Sequence, residues 1–370
     1  MTATKERRKT GTALKISCGV LLDALNAVMR VVPARAPKPI MQNVRIGEGL
    51  ITATDAEIRI DREIEAQCEP FLVPAARLQQ ILRAVPRDRD ATISTNGTTV
   101  TIKAAGGEWT VPTESVAEFP VWEPADPKPV CRMPADQFVR AARAVAYACD
   151  SESSRFALGA VLVDVVDGNP TLVATDGRRL SSVACETDQA VDDSQTLVPR
   201  RAMTLIAEAA AGSDGSVQLL RTHSELVAEV QGATITARLV EGRFPKWSDV
   251  FPEREVEAHA IERAALSSAT RAASICTSEQ SKSVAYQFGS TLKLSSQSPE
   301  AGQAHVICDI ARPGKPTTVR LDPRFVIDFL DGLDKEDEPH VEIEVEDASS
   351  AVVLRCGDVR GVIMPMADEA

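Results

Sequence analysis

The chain has 370 residues, 44% of them apolar but only 4% aromatic, and a formal net charge of -12. That apolar fraction suffices for several cores, built on Val, Ile, Leu and Ala rather than on rings. No run of 18 apolar residues occurs, so no membrane-spanning helix is expected, and the acidic sum argues against a surface that is basic all over and coats nucleic acid.

Residues 1–13, MTATKERRKTGTA, are polar and basic with no apolar stretch behind them. They read as a disordered arm rather than a secretion signal. A first helix is predicted near Val20–Val31, with Leu21, Leu25 and Val28 recurring at i, i+4, i+7. A second is predicted to open at Pro74, because a helix start tolerates a residue without an N–H. Leu78, Ile81, Leu82 and Val85 form its apolar face. Alternating runs at Ala91–Thr95 and Thr98–Lys103 flank Asn96-Gly97, a strong hairpin signal.

The same order then returns twice. Helices are predicted at Ala135–Cys149 and from Pro199, then at Ile261–Cys276 and from Pro323. Strands follow at Val217–Leu220, Leu226–Val230 and Thr234–Leu239, and again at Val341–Val345, Ala351–Arg355 and Gly361–Met364. Pro74, Pro199 and Pro323 stand 125 and 124 positions apart, and Phe119-Pro120 recurs as Phe244-Pro245 after 125. Ile51-Thr-Ala-Thr-Asp55 returns as Leu172-Val-Ala-Thr-Asp176, with a worn third copy at Leu292–Gln297. A period this long is that of a whole domain, not a solenoid repeat. The expected fold is α+β, with three similar domains of two helices and antiparallel sheets each, every domain itself a doubled motif. The expected boundaries are 14–128, 129–254 and 255–370.

Eight cysteines (Cys18, Cys68, Cys131, Cys149, Cys185, Cys276, Cys308 and Cys356) are scattered without a C-x-x-C, and the four histidines are isolated. Reduced thiols, no metal centre and no cofactor are expected. No phosphate-binding Gly-Lys loop, H-E-x-x-H or G-x-S-x-G occurs. Asp55 and Asp176 recur and could be paired as catalytic carboxylates. Each is read instead as an Asp closing a turn through its own backbone, and the third copy carries Gln297. No catalytic residue is therefore expected. Charge is uneven: Arg77, Arg83, Arg140, Arg143, Arg200 and Arg201 sit on or beside predicted helices, while acids gather at 334–338 and 342–347. This fits either a basic inner face or ordinary solvated helix faces.

From about Ala13 onward the chain resembles the bacterial β sliding clamp family, the processivity subunit of the replicative DNA polymerase. The resemblance rests on Val173-Ala-Thr-Asp-Gly-Arg-Arg-Leu180, Leu239-Val-Glu-Gly-Arg-Phe-Pro245 with Val250-Phe-Pro252, and Val362-Ile-Met-Pro-Met366. Pro39–Asn43 and Thr52–Glu57 support it. It implies a non-enzymatic, cytoplasmic homodimer, closed head to tail into a ring around duplex DNA without regard to sequence. Its implied partners are the polymerase, a clamp loader and other proteins with clamp-binding peptides. It implies a peptide pocket at Leu158, Thr175, Gly177, Arg179, Leu180, Pro245, Val250, Val362, Met364, Pro365 and Met366. A flexible Met-Pro-Met rim suits varied apolar side chains. It places Arg35 and the pair Arg200–Arg201 toward DNA, with Arg77, Arg83, Arg140 and Arg143 following from the helix argument alone. It places Trp109, Ile275 and Cys276 at the dimer seam, the alternative for Trp109 being burial within its own domain. Two departures stand out: Arg178 replaces the family's common His, and Ala367–Ala370 replaces an Arg-Leu ending with a longer acidic tail.

Overall fold

The computed structural model describes residues 13–366, except 37, 66, 121, 123, 151–155, 188, 190, 279–281, 335 and 336. Residues 1–12 of the basic arm and the tail 367–370 lie outside the described residues. Six copies of one motif, strand–helix–three strands, follow one another. The first is β1 (Leu14–Ser17), α1 (Cys18–Val28), β2 (Asn43–Gly47), β3 (Leu50–Thr54) and β4 (Ile58–Glu63). The second is β5 (Phe71–Pro74), α2 (Ala75–Ala84), β6 (Asp90–Thr95), β7 (Thr99–Ala104) and β8 (Gly107–Pro112). The second repeat supplies β9 (Lys128–Pro134), α3 (Ala135–Ala146), β10 (Ala160–Val166), β11 (Asn169–Thr175) and β12 (Arg179–Ala184). It continues with β13 (Ser194–Pro199), α4 (Arg200–Ala210), β14 (Ser216–Arg221), β15 (Glu225–Val230) and β16 (Ala233–Arg238). The third supplies β17 (His259–Glu262), α5 (Arg263–Ser274), β18 (Val284–Phe288), β19 (Thr291–Ser298) and β20 (Gly302–Asp309). It ends with β21 (Thr317–Leu321), α6 (Pro323–Gly332), β22 (His340–Glu344), β23 (Val352–Cys356) and β24 (Val359–Ile363).

The motifs are interlocked in pairs. The strand before each helix joins the three strands of the other half, so β1 pairs β6 and β5 pairs β2. Both pairs are antiparallel, and the helices bury their apolar stripes: Leu21, Leu25 and Val28 on α1, Leu78 and Leu82 on α2, and Phe138, Ala142 and Val145 on α3 are essentially inaccessible.

Two compact units result: Met1–Lys128 with Leu219–Arg238, and Pro129–Gln218 with Leu239–Ala370. Within the first, β4 pairs β16, with Ile58 opposite Ala237 and Arg62 opposite Ala233. Within the second, β12 pairs β24, with Leu180 opposite Val362. That second sheet runs β13-β10-β11-β12-β24-β23-β22-β17. β8 ends the four-stranded sheet β1-β6-β7-β8, and β20 ends β20-β19-β18-β21.

Several elements differ from the sequence reading. Pro74 and Pro199 are the last residues of β5 and β13, with ψ of 114 and 136, and the helices begin one residue later. The fixed φ of proline suits both states, and ψ decides between them. Only Pro323 lies inside its helix, behind Asp322, whose side chain accepts from the Arg324 N–H at 3.0 Å. The strands ahead of α1, α3 and α5 are absent from the sequence reading. β1 and β17 are four residues long, too short to display alternation, and β9 carries Pro129 and Pro134 near its ends. The worn copy at Leu292–Gln297 forms no turn. It lies inside β19, where Gln297 faces Gln303 in an eight-residue ribbon with β20.

Candidate functional site

The 172–180 segment is built as a strand, a tight turn and a strand. Thr175 Oγ1 donates to the Arg179 carbonyl at 2.6 Å and accepts from the Gly177 N–H at 3.1 Å. Asp176 Oδ1 accepts from the N–H groups of Arg178 and Arg179, at 2.9 and 3.0 Å. Gly177 has φ +87, the left-handed region that costs a side chain strain. The first-repeat copy has the same wiring: Asp55 Oδ1 accepts from Glu57 and Ile58 at 3.0 and 2.8 Å, and Ala56 has φ 76. Both carboxylates are occupied in closing turns.

The turn delivers Arg179 into a half-buried junction. Its Nε lies 3.0 Å from Asp176 Oδ2, its Nη1 2.5 Å from Asp328 Oδ2, and its Nη2 donates to the Tyr147 carbonyl at 2.8 Å. The guanidinium also stacks over Phe325, 4.6 Å from the ring centroid. So Arg179, expected as pocket wall, also ties α6 to the end of α3.

Beside this junction the other sheet face is apolar. Leu180 and Val362, paired across β12 and β24, pack with Leu162, Val173, Leu197, Phe244 and Val353. The segment after β16 lies over them. Trp247 and Phe251 pack on the cluster edge to face, and Trp247 Nε1 donates to Asp164 Oδ2 at 2.7 Å. Phe251 in turn carries the Arg360 guanidinium 3.9 Å from its centroid, and burial lowers that arginine's pKa from its ordinary value. Leu158 and Thr175 are buried, Pro245 is exposed, and Pro365 and Met366 are half-buried. Val250 (38% exposed) and Met364 (44%) are two of the few large apolar side chains left open to solvent. The Met364 N–H donates to the Arg178 carbonyl at 2.8 Å, and the Met366 N–H to the Arg320 carbonyl at 2.9 Å. A cavity of about 540 Å³ adjoins Pro365 and Met366, lined also by Ala285, Thr318, Arg320 and Ser349. Trp247, Phe251 and this cavity lie outside the residues expected from the sequence. The two aromatics sit four apart beside the Phe244-Pro245 motif, a usable signal, whereas nothing in the sequence marks Arg320.

Among the expected DNA-facing residues, Arg35, Arg77, Arg83, Arg200 and Arg201 are exposed. Arg140 and Arg143 are also open but already engaged: Arg140 pairs with Asp337 at 2.5 Å and Arg143 approaches Asp334 at 3.5 Å. At the expected seam, Trp109 is half-buried on β8, its indole lying across Gly107. Ile275 at the end of α5 is 75% exposed, Cys276 is half-buried, and Ile307 on β20 is 68% exposed, a residue the sequence reading omits. No helix among the described residues is long and apolar enough to cross a membrane.

Family models for the DNA polymerase III beta subunit match the chain in order: the N-terminal domain over 12–123, the central domain over 132–246 and the C-terminal domain over 248–367. The beta sliding clamp of Pseudomonas putida is 26% identical over 360 residues, covering 94% of this chain and 97% of its own. That of Escherichia coli K12 is 23% identical over 362 residues, with the same coverage. Among solved structures, a Pseudomonas aeruginosa DNA polymerase sliding clamp with ligand superposes with a TM-score of 0.89 at 24% identity, covering 96% of this chain and 99% of that one. The Bacillus subtilis sliding clamp gives 0.89 at 17%, covering 98% and 100%. The ordered family matches over nearly the whole length, on a three-domain fold of interlocked helices and antiparallel sheets, make this chain a member of the DNA polymerase III beta subunit family, the bacterial sliding clamps.

Proposed function

We propose that two copies of this chain close head to tail into a ring that surrounds duplex DNA and tethers the replicative polymerase and other proteins to it. One rule of pairing carries this reading. Inside the chain, the last strand of a repeat's first half pairs with the last strand of the next repeat's second half: β4 with β16, and β12 with β24. Two strands of that class remain at sheet ends, β20 of the third repeat and β8 of the first. An open edge exposes unpaired backbone groups and invites a partner strand. β20 of one copy against β8 of another obeys the same rule, and applying it twice closes the assembly. Ile275 and Ile307 near β20, and Trp109 on β8, supply apolar surface for that seam.

The three repeats are then three domains, 14–128, 129–254 and 255–370. A ring holds DNA by topology, so weak and sequence-blind contacts from Arg35, Arg77, Arg83, Arg200 and Arg201 suffice, which reconciles an acidic chain with a DNA partner. The chain's role is positional rather than catalytic, and a separate loader must open it. Partners dock a short peptide on the apolar patch around Leu180, Val362, Val250 and Met364. The setting is the cytoplasm.

The test is retention on DNA. Protein loaded on nicked circular duplex should stay bound through gel filtration and be lost once the circle is cut. Equal loss from circular and linear DNA would leave a peptide-binding scaffold and remove the ring.

A further inference from the structure

The rim of the peptide patch carries a cation with no counter-charge. Arg179 has Asp176 and Asp328, and Arg324 has Asp322 at 2.6 Å. Arg178 is exposed, and among the described residues its guanidinium makes no hydrogen bond or ion pair. It rests instead on the ring of Phe325, 5.7 Å from the centroid. Its backbone is fixed at both polar groups, the N–H on Asp176 at 2.9 Å and the carbonyl on the Met364 N–H at 2.8 Å. Gly177 before it holds the turn in a conformation other residues resist. The residue that carries the cation is thus bonded through its backbone to Met364, whose side chain is exposed.

We propose that Arg178 makes this pocket select partner peptides with an aspartate or glutamate beside their apolar anchors. The inference rests on the peptide-pocket reading above. A carboxylate at that point would take a charge-assisted bond from a guanidinium already ordered on Phe325, so little side-chain entropy is lost on binding. The whole chain, at net charge -12, repels acidic peptides. A gain from an acid is therefore expected at one peptide position only, not as a general trend.

The experiment uses fluorescein-labelled, end-blocked hexapeptides with two Leu anchors and Asp, Asn or Lys scanned through the other positions, with binding read by polarisation. At one position Asp should bind about threefold to tenfold more tightly than Asn, and Lys more weakly than both. The preference should vanish in Arg178→Gln and shrink in 1 M salt. Equal binding of Asp and Asn at every position, or a preference that survives Arg178→Gln, overturns the inference and leaves the pocket standing. Absence of binding by every peptide, or binding unaffected by Met364→Glu, removes the pocket reading and the inference with it.

Discussion

Arg179 Nη1 lies 2.5 Å from the Asp328 carboxylate, joining residues 149 positions apart. The pair links the first residue of β12 to α6. Arg179 is largely buried, whereas Asp328 is 40% exposed, so the two substitutions are unequal. Arg179→Ala leaves two carboxylates without their cation and removes the stacking on Phe325. It should cost about 2–4 kcal/mol. Asp328→Ala leaves Arg179 its bond to Asp176 and should cost about 1 kcal/mol or less. Urea unfolding of both variants and the double variant checks this, and costs that simply add would deny the coupling.

His259 gives the fold an acid sensitivity. It is fully buried, stacked on Phe288 at 4.7 Å, with Nδ1 accepting from the Gly314 N–H and Nε2 on the Lys315 carbonyl, both at 2.8 Å. Two such partners require the neutral ring. Burial lowers its pKa from the ordinary 6.5, opposed by the Lys315 carbonyl and Glu257. A folded value below the unfolded one means that stability is complete above about pH 6.5. It is lost as pH falls, because only the unfolded chain then takes up the proton. The urea midpoint should drop between pH 7.5 and 5.5, and should drop less in His259→Gln, whose starting point is lower. Parallel falls in both proteins would place the sensitivity elsewhere.

The sequence displays what is periodic. The helices are legible because Leu21, Leu25 and Val28 or Phe138, Ala142 and Val145 mark a buried stripe, and the role of Asp55 and Asp176 because an Asp after a strand has a local use. Trp247 and Phe251 cover the sheet from a segment with no long period, so only their spacing of four beside Phe244-Pro245 marks them. The pairing of β12 with β24 is hidden because strand neighbours remote in sequence leave no local mark, and it is this pairing that brings Leu180 to Val362. The departures from periodicity were informative as well. Leu292–Gln297 lacks the Thr-Asp turn and continues as a long ribbon to the open edge β20.

Asp337 holds Arg140 away from a free role. The carboxylate is 8% exposed, pairs with Arg140 at 2.5 Å and also accepts from the Asp334 N–H at 2.5 Å. Asp337→Asn keeps an oxygen for that N–H but removes the charge. Arg140, if it faces DNA, is then released toward phosphate. Duplex affinity at low salt should rise several-fold, and the slope of log K against log salt should steepen by about 0.9, one phosphate contact. Arg140→Gln added to Asp337→Asn should abolish both changes. An unchanged slope would assign Arg140 to the α3–α6 contact alone.

Ile275 and Ile307 test the seam at its most exposed points. Both are large, apolar and open to solvent, on or beside the terminal strand β20. Burying an isoleucine side chain is worth about 1.5–3 kcal/mol, and an unpaired carboxylate in its place costs more. In a two-copy ring each substitution occurs at both seams, so the penalty is counted twice. Ile307→Asp should shift a micromolar sample from dimer to monomer in sedimentation velocity, with helix content and urea midpoint near those of the parent monomer. Val166→Asp, at an exposed valine on a different sheet, is the control and should leave the dimer intact. A dimer that survives Ile275→Asp and Ile307→Asp together would mean that β20 does not meet the partner, and the β8–β20 closure would have to be abandoned.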